Sequence, residues 1–161
     1  MMKYKLWTIN NKEEEKFLRK GTEKVKDLKD DNILKLIKDM REIMIKEKGV
    51  GLAANQIGLD KQIFVMGPGE DFFAFINPKI TKYSKEKEDM EEGCLSVPGK
   101  VGIVSRPVAI EIKGFNEKGE KIKMKFDGIF ARIFQHEYDH LSGILFIDKA
   151  KKIYQSEKDG E

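Results

Sequence analysis

Both histidines of this 161-residue chain lie four residues apart, in the segment His136-Glu137-Tyr138-Asp139-His140, and the only cysteine is Cys94. Histidines at positions i and i+4 of a helix stack on one face, where two imidazoles can hold one metal ion. Imidazole and thiolate are the side chains that bind soft or borderline divalent ions. We therefore expect a fold that brings Cys94 to the histidine-bearing face of a helix.

Each of these groups also has a purely structural interpretation. A histidine pair at this spacing arises by chance, and a free cysteine is commonly a small buried apolar residue. However, no histidine follows His140 and the next acid is Asp148, so an ordinary HExxH peptidase would lack its usual third ligand. The residues favour one ion held by Cys94, His136 and His140, with Glu137 placed to take a proton from water.

Composition excludes several other classes of protein. The chain has 31 basic and 28 acidic residues and a net charge of +3, which is too balanced to indicate a specific nucleic-acid partner. No apolar run reaches the length of a membrane span, so we expect no membrane partner. The N-terminal residues lack the apolar stretch of a secretory signal, and one cysteine cannot form an internal disulfide. These observations predict a cytoplasmic location.

Hydrophobic periodicity predicts two helices. Apolar residues from Ile33 to Met44 recur at three- and four-residue steps, which predicts an amphipathic helix over residues 31–48, capped near its start and ended by Gly49. A second helix is predicted over residues 127–141, ended by Gly143. It carries both histidines.

Strand-like runs lie between and around these helices, over residues 62–66, 73–77, 79–83, 108–113 and 121–126. Asn116-Glu117-Lys118-Gly119 is typical of a hairpin turn. The pattern predicts an α+β fold, with short mixed or antiparallel β-sheets packed around a central C-terminal HExxH helix and with an N-terminal amphipathic helix. We expect a single catalytic domain over residues 1–161, with the last ~10 residues frayed.

Three segments resemble the motifs of one family, peptide deformylase. The segment 49–56, GVGLAANQ, is similar to its GxGLAAxQ motif, and Glu92-Gly93-Cys94-Leu95-Ser96 is similar to its EGCLS motif. The segment 135–141, QHEYDHL, is similar to its QHExDHL motif. The three occur in the order of the family, and the resemblance extends from about Leu18 to Asp148.

The resemblance implies a metallo-amidase that removes the N-formyl group from the formyl-methionine of nascent polypeptides and releases formate. Cys94, His136 and His140 would bind one divalent ion, Fe(II) in the first place, with Zn(II), Ni(II) or Co(II) as substitutes. Water on that ion would attack the formyl carbon, with Glu137 as general base and then acid. Gln56 and the backbone N–H of Leu95 would hold the developing oxyanion.

The resemblance also implies a substrate site, in which the backbone of Gly51 pairs with an extended peptide. The further candidates for substrate binding are Val50, Glu92, Gly93, Ile129 and Ile133, with Met90 as an additional neighbour. For the apolar candidates, ordinary core packing is the alternative interpretation.

Two polar residues are candidates for supporting the metal ligands. Arg106 is expected to pair with Glu92 and fix the cysteine loop, although a surface arginine is an equal alternative. Asp139 is expected to hydrogen-bond a ligand imidazole or neighbouring backbone.

The expected partners are N-formyl-methionyl nascent peptides and the ribosome near the exit tunnel. Lys121, Lys123 and Lys125 alternate on one strand and are candidates for the ribosome contact, with a solvated surface as the alternative. Two other functions stay open. A zinc peptidase would share the HExxH segment but not Cys94, and a metal-binding regulator or inactive relative would be expected to lack Glu137 or Gln56.

Overall fold

The computed structural model describes residues 3–156 of the chain. Four helices lie in this part of the chain: α1 (Lys12–Leu18), α2 (Asp31–Lys46), α3 (Gly128–Leu141) and α4 (Phe146–Lys149). The strands are β1 (Gly51–Ala53), β2 (Ile63–Met66), β3 (Phe73–Tyr83), β4 (Lys87–Gly93), β5 (Lys100–Pro107), β6 (Ala109–Phe115), β7 (Lys121–Asp127) and β8 (Lys152–Gln155). A single 3-10 turn, Ala54–Ile57, follows β1.

The strands form two antiparallel sheets. The larger sheet has the order β1-β2-β3-β6-β7, and the smaller one has the order β4-β5-β8. Every pairing within them is antiparallel, so the α+β class is confirmed and the allowance for mixed sheets was unnecessary. β1 and β4 are edge strands, which leaves one backbone edge of each strand open.

Helix α2 covers one face of the larger sheet. Its start is capped by Asp30, whose side chain accepts a 2.9 Å hydrogen bond from the Asn32 N–H. The predicted apolar stripe from Ile33 to Met44 is buried against β1, β2 and the start of β3. The helix ends two residues before the predicted bound, because Lys48 itself takes the left-handed conformation (φ 59°) that was expected near Gly49.

Helix α3 is the central element. It packs against β1, β2 and β7 of the larger sheet on one side and against β5 of the smaller sheet on the other. Phe134 is fully buried and meets Phe64 and Phe75 in edge-on contacts with ring centroids 4.9 Å apart. The predicted position of the HExxH helix between the sheets is therefore confirmed.

Several elements were absent from the sequence-based expectation. Helix α1 is one of them, and it is capped by Asn11, whose side chain accepts from the N–H groups of Glu13 and Glu14. The prediction of a frayed tail was wrong for Lys152–Gln155. This segment forms β8 and pairs with β5 from Lys100↔Gln155 to Ile103↔Lys152. The last five residues of the predicted tail lie outside the described residues. No helix within residues 3–156 combines the length and the apolar composition needed to cross a membrane.

Candidate metal centre and active site

The three predicted metal ligands converge. Cys94 directly follows β4, and both histidines lie on α3. Sγ of Cys94 is 3.3 Å from Nε2 of His140, and the ligand atoms of Cys94, His136 and His140 all lie within 4.8 Å of one another. Neighbouring sulfur and nitrogen ligands of a tetrahedral ion are about 3.5 Å apart. The three side chains are thus spaced to share one ion and leave a fourth position for water or substrate.

The orientation of His136 is set by Glu92. Its Nδ1 lies 2.9 Å from Oε1 of Glu92, which leaves Nε2 free to bind an ion. A ligand histidine held through its other nitrogen by a carboxylate is a common arrangement at protein metal sites. On the other histidine, Nε2 faces Cys94, whereas Nδ1 is buried without a hydrogen-bond partner within residues 3–156.

The electrostatics of the cluster favour a cation. Burial disfavours a charged imidazole, but hydrogen bonds to Cys94 and Glu92 outweigh it and raise the pKa of His136. Burial, together with the positive charge of His136, lowers the pKa of His140 well below its ordinary value. The site therefore attracts one positive charge and resists a second proton. A divalent ion on two neutral imidazoles and a thiolate fits this donor set.

Glu92 is the centre of a buried ionic network. Arg106 grips it in a forked contact, with Nε 2.6 Å from Oε2 and Nη2 3.0 Å from Oε1. Arg132 adds a 2.6 Å contact from Nη1 to Oε2. Burial acts to raise the pKa of Glu92, but the hydrogen bonds from His136 and Arg106 hold it well below its usual range. Glu92 borders the cavity, and its carboxylate is directed at these three groups, so it orients His136.

Asp139 does not contact a ligand imidazole. Its carboxylate accepts a 2.8 Å hydrogen bond from Nη1 of Arg106 and pairs with Nζ of Lys149 at 3.0 Å. The expectation that its side chain hydrogen-bonds a ligand imidazole or neighbouring backbone was therefore wrong within residues 3–156. Asp139 supports the ligand only indirectly, because it binds Arg106, which in turn binds Glu92.

Glu137 faces the cavity and is not engaged by the protein. It is buried, and its Oε1 has no hydrogen-bond partner in the described part of the chain. Burial raises the pKa of Glu137 to about 7, which suits a group that takes and returns a proton near neutral pH. Gly51 makes room for it, since a Cβ at that position would lie 2.6 Å from Oε2 of Glu137.

Gln56 and Leu95 supply hydrogen-bond donors beside the ligands. Oε1 of Gln56 accepts from the Ala53 N–H at 2.9 Å, which turns Nε2 towards Ser96 Oγ at 3.0 Å and Cys94 Sγ at 3.7 Å. The Leu95 N–H follows Cys94 in the turn after β4 and has no acceptor within residues 3–156. Nε2 of Gln56 therefore lies beside Cys94, and the Leu95 N–H adjoins it in the chain.

A cavity of about 310 Å³ opens onto Cys94, His136 and Glu137. The predicted substrate-binding residues all line it: Val50, Gly51, Glu92, Gly93, Ile129 and Ile133, together with Met90. Ile133 is buried, while Val50 and Ile129 are about half exposed at the rim. The open edges of β1 and β4 flank the same cavity, so an extended peptide can lie between them.

The sequence analysis missed three residues of this site. Arg132 was overlooked. It is a single cation in an apolar stretch one helical turn before His136, and a buried cation needs an acidic partner. Asn55, fully buried, donates from Nδ2 to the His140 carbonyl at 2.6 Å. Ser96 accepts from Gln56. Neither of the last two carries a sequence signal that separates it from an ordinary loop residue.

Comparisons with known proteins point to one family. The family model described as polypeptide deformylase matches residues 6–156. The chain is 50% identical over 122 residues to a peptide deformylase of Pelotomaculum thermopropionicum, covering 76% of this chain and 78% of that protein. It is 42% identical over 142 residues to one of Natranaerobius thermophilus, covering 88% and 90%.

Solved structures of similar fold come from the same family. The fold matches that of the peptide deformylase from Thermotoga maritima with a TM-score of 0.86 and 39% identity, over 92% of this chain and 98% of that one. A peptide deformylase from Synechococcus elongatus, solved in complex with actinonin, matches with a TM-score of 0.88 and 34% identity, over 94% and 81%.

Proposed function

The chain belongs to the polypeptide deformylase family, and on that premise we propose that Glu137, Gln56 and the Leu95 backbone carry out deformylation at the Cys94–His136–His140 site. The family activity is a metal-dependent hydrolysis that removes the N-formyl group from the formyl-methionine of nascent polypeptides. The buried, unpartnered carboxylate of Glu137 beside three convergent metal ligands is the observation that carries the proposal.

The metal would be held by Cys94, His136 and His140. Once bound, it supplies a Lewis acid that polarises the formyl carbonyl and lowers the pKa of a water molecule. We propose Fe(II) as the resident ion, with Zn(II), Ni(II) or Co(II) able to replace it, because a donor set of one sulfur and two nitrogens accepts all four.

Glu137 moves the proton. Its free Oε1 takes a proton from the attacking water, and its raised pKa lets it hold that proton until the amide nitrogen leaves. It then donates the proton to the departing amine, so formate and a free methionine amine result. Gly51 keeps the carboxylate close to the reacting carbon because no side chain separates them.

Gln56 and Leu95 stabilise the oxyanion of the tetrahedral intermediate. The Gln56 amide cannot present its oxygen to the cavity, since that oxygen is held by the Ala53 N–H. Its Nε2 and the Leu95 N–H are fixed donors that need little reorganisation as charge develops. A single donor of this kind contributes on the order of 3 kcal/mol to transition-state stabilisation.

The substrate would bind as an added strand. Formyl-methionine would enter with its formyl group at Cys94 and its backbone between the open edges of β1 and β4. Val50, Ile129 and Ile133 would form the wall against the methionine side chain. One related enzyme was solved in complex with actinonin, which supports a ligand site in this chain as well.

The cellular setting belongs to the same proposal. The chain would act as one catalytic domain over residues 1–161, in the cytoplasm, on peptides emerging from the ribosome near the exit tunnel. The absence of a membrane-spanning helix within residues 3–156 is compatible with this location.

Formate release from a formyl-methionyl peptide tests the proposal. Protein purified without oxygen and loaded with Fe(II) or Ni(II) is expected to release formate, and Glu137→Gln is expected to lower the rate at least about 10²-fold while retaining its metal. Glu42→Gln, exposed on α2, is the matched control and should keep full activity.

Two results would contradict the proposal. Cleavage of internal amide bonds in unformylated peptides, without formate, would identify a peptidase. A folded, metal-loaded protein that does neither would be an inactive relative.

A further inference from the structure

Strands β3, β6 and β7 place lysines on the same face of the larger sheet, here called the lysine face. Directly opposed residues of antiparallel strands share a face, and the register aligns three rows across these strands. The face carries two acids, Glu111 and, at the end of β7, Asp127. It carries six lysines: Lys79, Lys82, Lys113, Lys121, Lys123 and Lys125.

The central row of this face has no compensating charge. Lys79 lies opposite Lys113, and Lys113 lies opposite Lys123. All three are exposed, and none forms an ion pair with any residue from 3 to 156. In the adjacent row Glu111 separates Lys82 from Lys125 and pairs with Lys82 at 3.8 Å. Like charges directly opposite each other destabilise a sheet, so the central row raises the energy of the fold unless something neutralises it.

The spacing makes the row a polyanion site. Neighbouring strands are about 4.8 Å apart, and same-face residues along a strand are about 6.8 Å apart. Both distances are shorter than the ~8 Å screening length at physiological salt, so the potentials of these lysines add. The net charge of +3 for the whole chain conceals this local concentration.

We propose that the lysine face binds the phosphate backbone of double-stranded RNA, without reading its sequence. The choice of RNA as the polyanion rests on the proposed function, because an enzyme acting on nascent polypeptides works beside ribosomal RNA.

The surface chemistry favours a duplex backbone over two other occupants. The only aromatic side chain on the three rows is Phe115, which is half-buried and packs into the α2 core, so unpaired bases have no exposed ring to stack on. No exposed large apolar side chain accompanies the lysines on the described face, so a lipid surface would gain no apolar insertion.

The test is the binding of a fluorescent RNA hairpin between 50 and 200 mM salt, with three Lys→Gln changes in the central row: Lys79, Lys113 and Lys123. The slope of log affinity against log salt concentration measures how many phosphates the protein neutralises. If these lysines neutralise about three phosphates, this slope should be about 2–3 units shallower for the variant than for the parent. At 50 mM salt the variant is expected to bind at least about tenfold more weakly. Its deformylation rate should be unchanged.

The control is a second triple variant with the same change of charge, made from exposed lysines on α1 and α2: Lys12→Gln, Lys16→Gln and Lys35→Gln. It should bind RNA like the parent. Equal loss in both triple variants would show diffuse attraction and overturn the proposal.

Three other outcomes would also overturn it. These are no hairpin binding at low salt by folded protein, tighter binding of single-stranded RNA of equal length, and capture by phosphatidylserine vesicles in preference to RNA. Loss of formate release with RNA binding intact would instead count against the proposed function alone.

A stability measurement gives an independent check. Lys113→Gln removes the charge that repels both Lys79 and Lys123. It is expected to raise the unfolding temperature by about 1–4 °C, whereas Lys12→Gln should leave it unchanged. Added RNA hairpin should stabilise the parent and not the central-row variant. If Lys113→Gln does not raise the unfolding temperature and RNA does not stabilise the parent, the lysines of the central row do not repel one another appreciably.

Discussion

Oε1 of Glu92 lies 2.9 Å from Nδ1 of His136, which leaves the Nε2 of that imidazole for the metal. The same carboxylate is held from behind by two buried arginines. A charged chain thus runs from Asp139 through Arg106 and Glu92 to a metal ligand. This arrangement makes the position of His136 depend on residues that are not themselves candidate metal ligands.

Glu92→Gln is expected to damage both stability and metal binding. The substitution keeps the shape but removes the carboxylate that pairs with Arg132 and leaves Arg106 with Asp139 alone, which costs about 3–5 kcal/mol of unfolding free energy. It also weakens the acceptor for His136, so metal affinity should fall about 10- to 100-fold. Urea denaturation of the metal-free protein and chelator competition measure the two effects separately. An unchanged metal affinity would show that Glu92 only supports the fold.

Arg132→Met should produce a milder form of the same defect. Arg106 still neutralises Glu92, so the loss is one charged hydrogen bond to its carboxylate and two to backbone carbonyls, about 2–3 kcal/mol in all. The control is a substitution of Lys82, which forms an exposed ion pair with Glu111. Loss of this pair should have little effect on the free energy of unfolding. Equal losses in the two variants, measured by denaturation, would refute the buried network.

Local patterns account for the parts of the fold that the sequence predicted. The stripe from Ile33 to Met44 and the i, i+4 pair His136 and His140 are set within one helix, and the turn at 116–119 closes on itself, with Gly119 donating to the Asn116 carbonyl. The third ligand was found because Cys94 is the only cysteine. Such features need no knowledge of long-range contacts.

Other elements could not be predicted because distant partners define them. β4 is exposed at five of its seven positions and β8 at all four, so neither shows an alternation of apolar and polar residues. Each is a strand because it pairs with β5. The lysine face likewise depends on register, including the irregularities of β3 near residues 77 and 81, which a sequence pattern does not reveal.

Cys94→Ala should separate the metal from the fold. Cys94 is a small buried side chain, so the metal-free variant is expected to unfold close to the parent. The parent gains about 2.7 kcal/mol when the free ion is at 100 times its dissociation constant, and the variant should lose most of that gain. Thermal unfolding with and without Co(II) measures the difference. A metal-dependent shift that survives in the variant would place the ion elsewhere.

Gly51→Ala should impair catalysis through Glu137 alone. A Cβ at this position would lie 2.6 Å from Oε2 of Glu137, so the carboxylate must move away from the reacting carbon, and displacement by about 1 Å can cost 10²-fold in rate. Metal content should be unchanged, because Gly51 does not touch the ligands.

A double-mutant cycle distinguishes this from a general disturbance of β1. In the Glu137→Ala background the obstructing carboxylate is gone, so adding Gly51→Ala should lower the residual rate of formate release only slightly. The two changes are then strongly non-additive, as expected for residues that act as a unit. If the rate losses simply multiply, Gly51 acts on substrate binding along the open edge of β1, and the steady-state KM for the formylated peptide should rise instead of kcat falling.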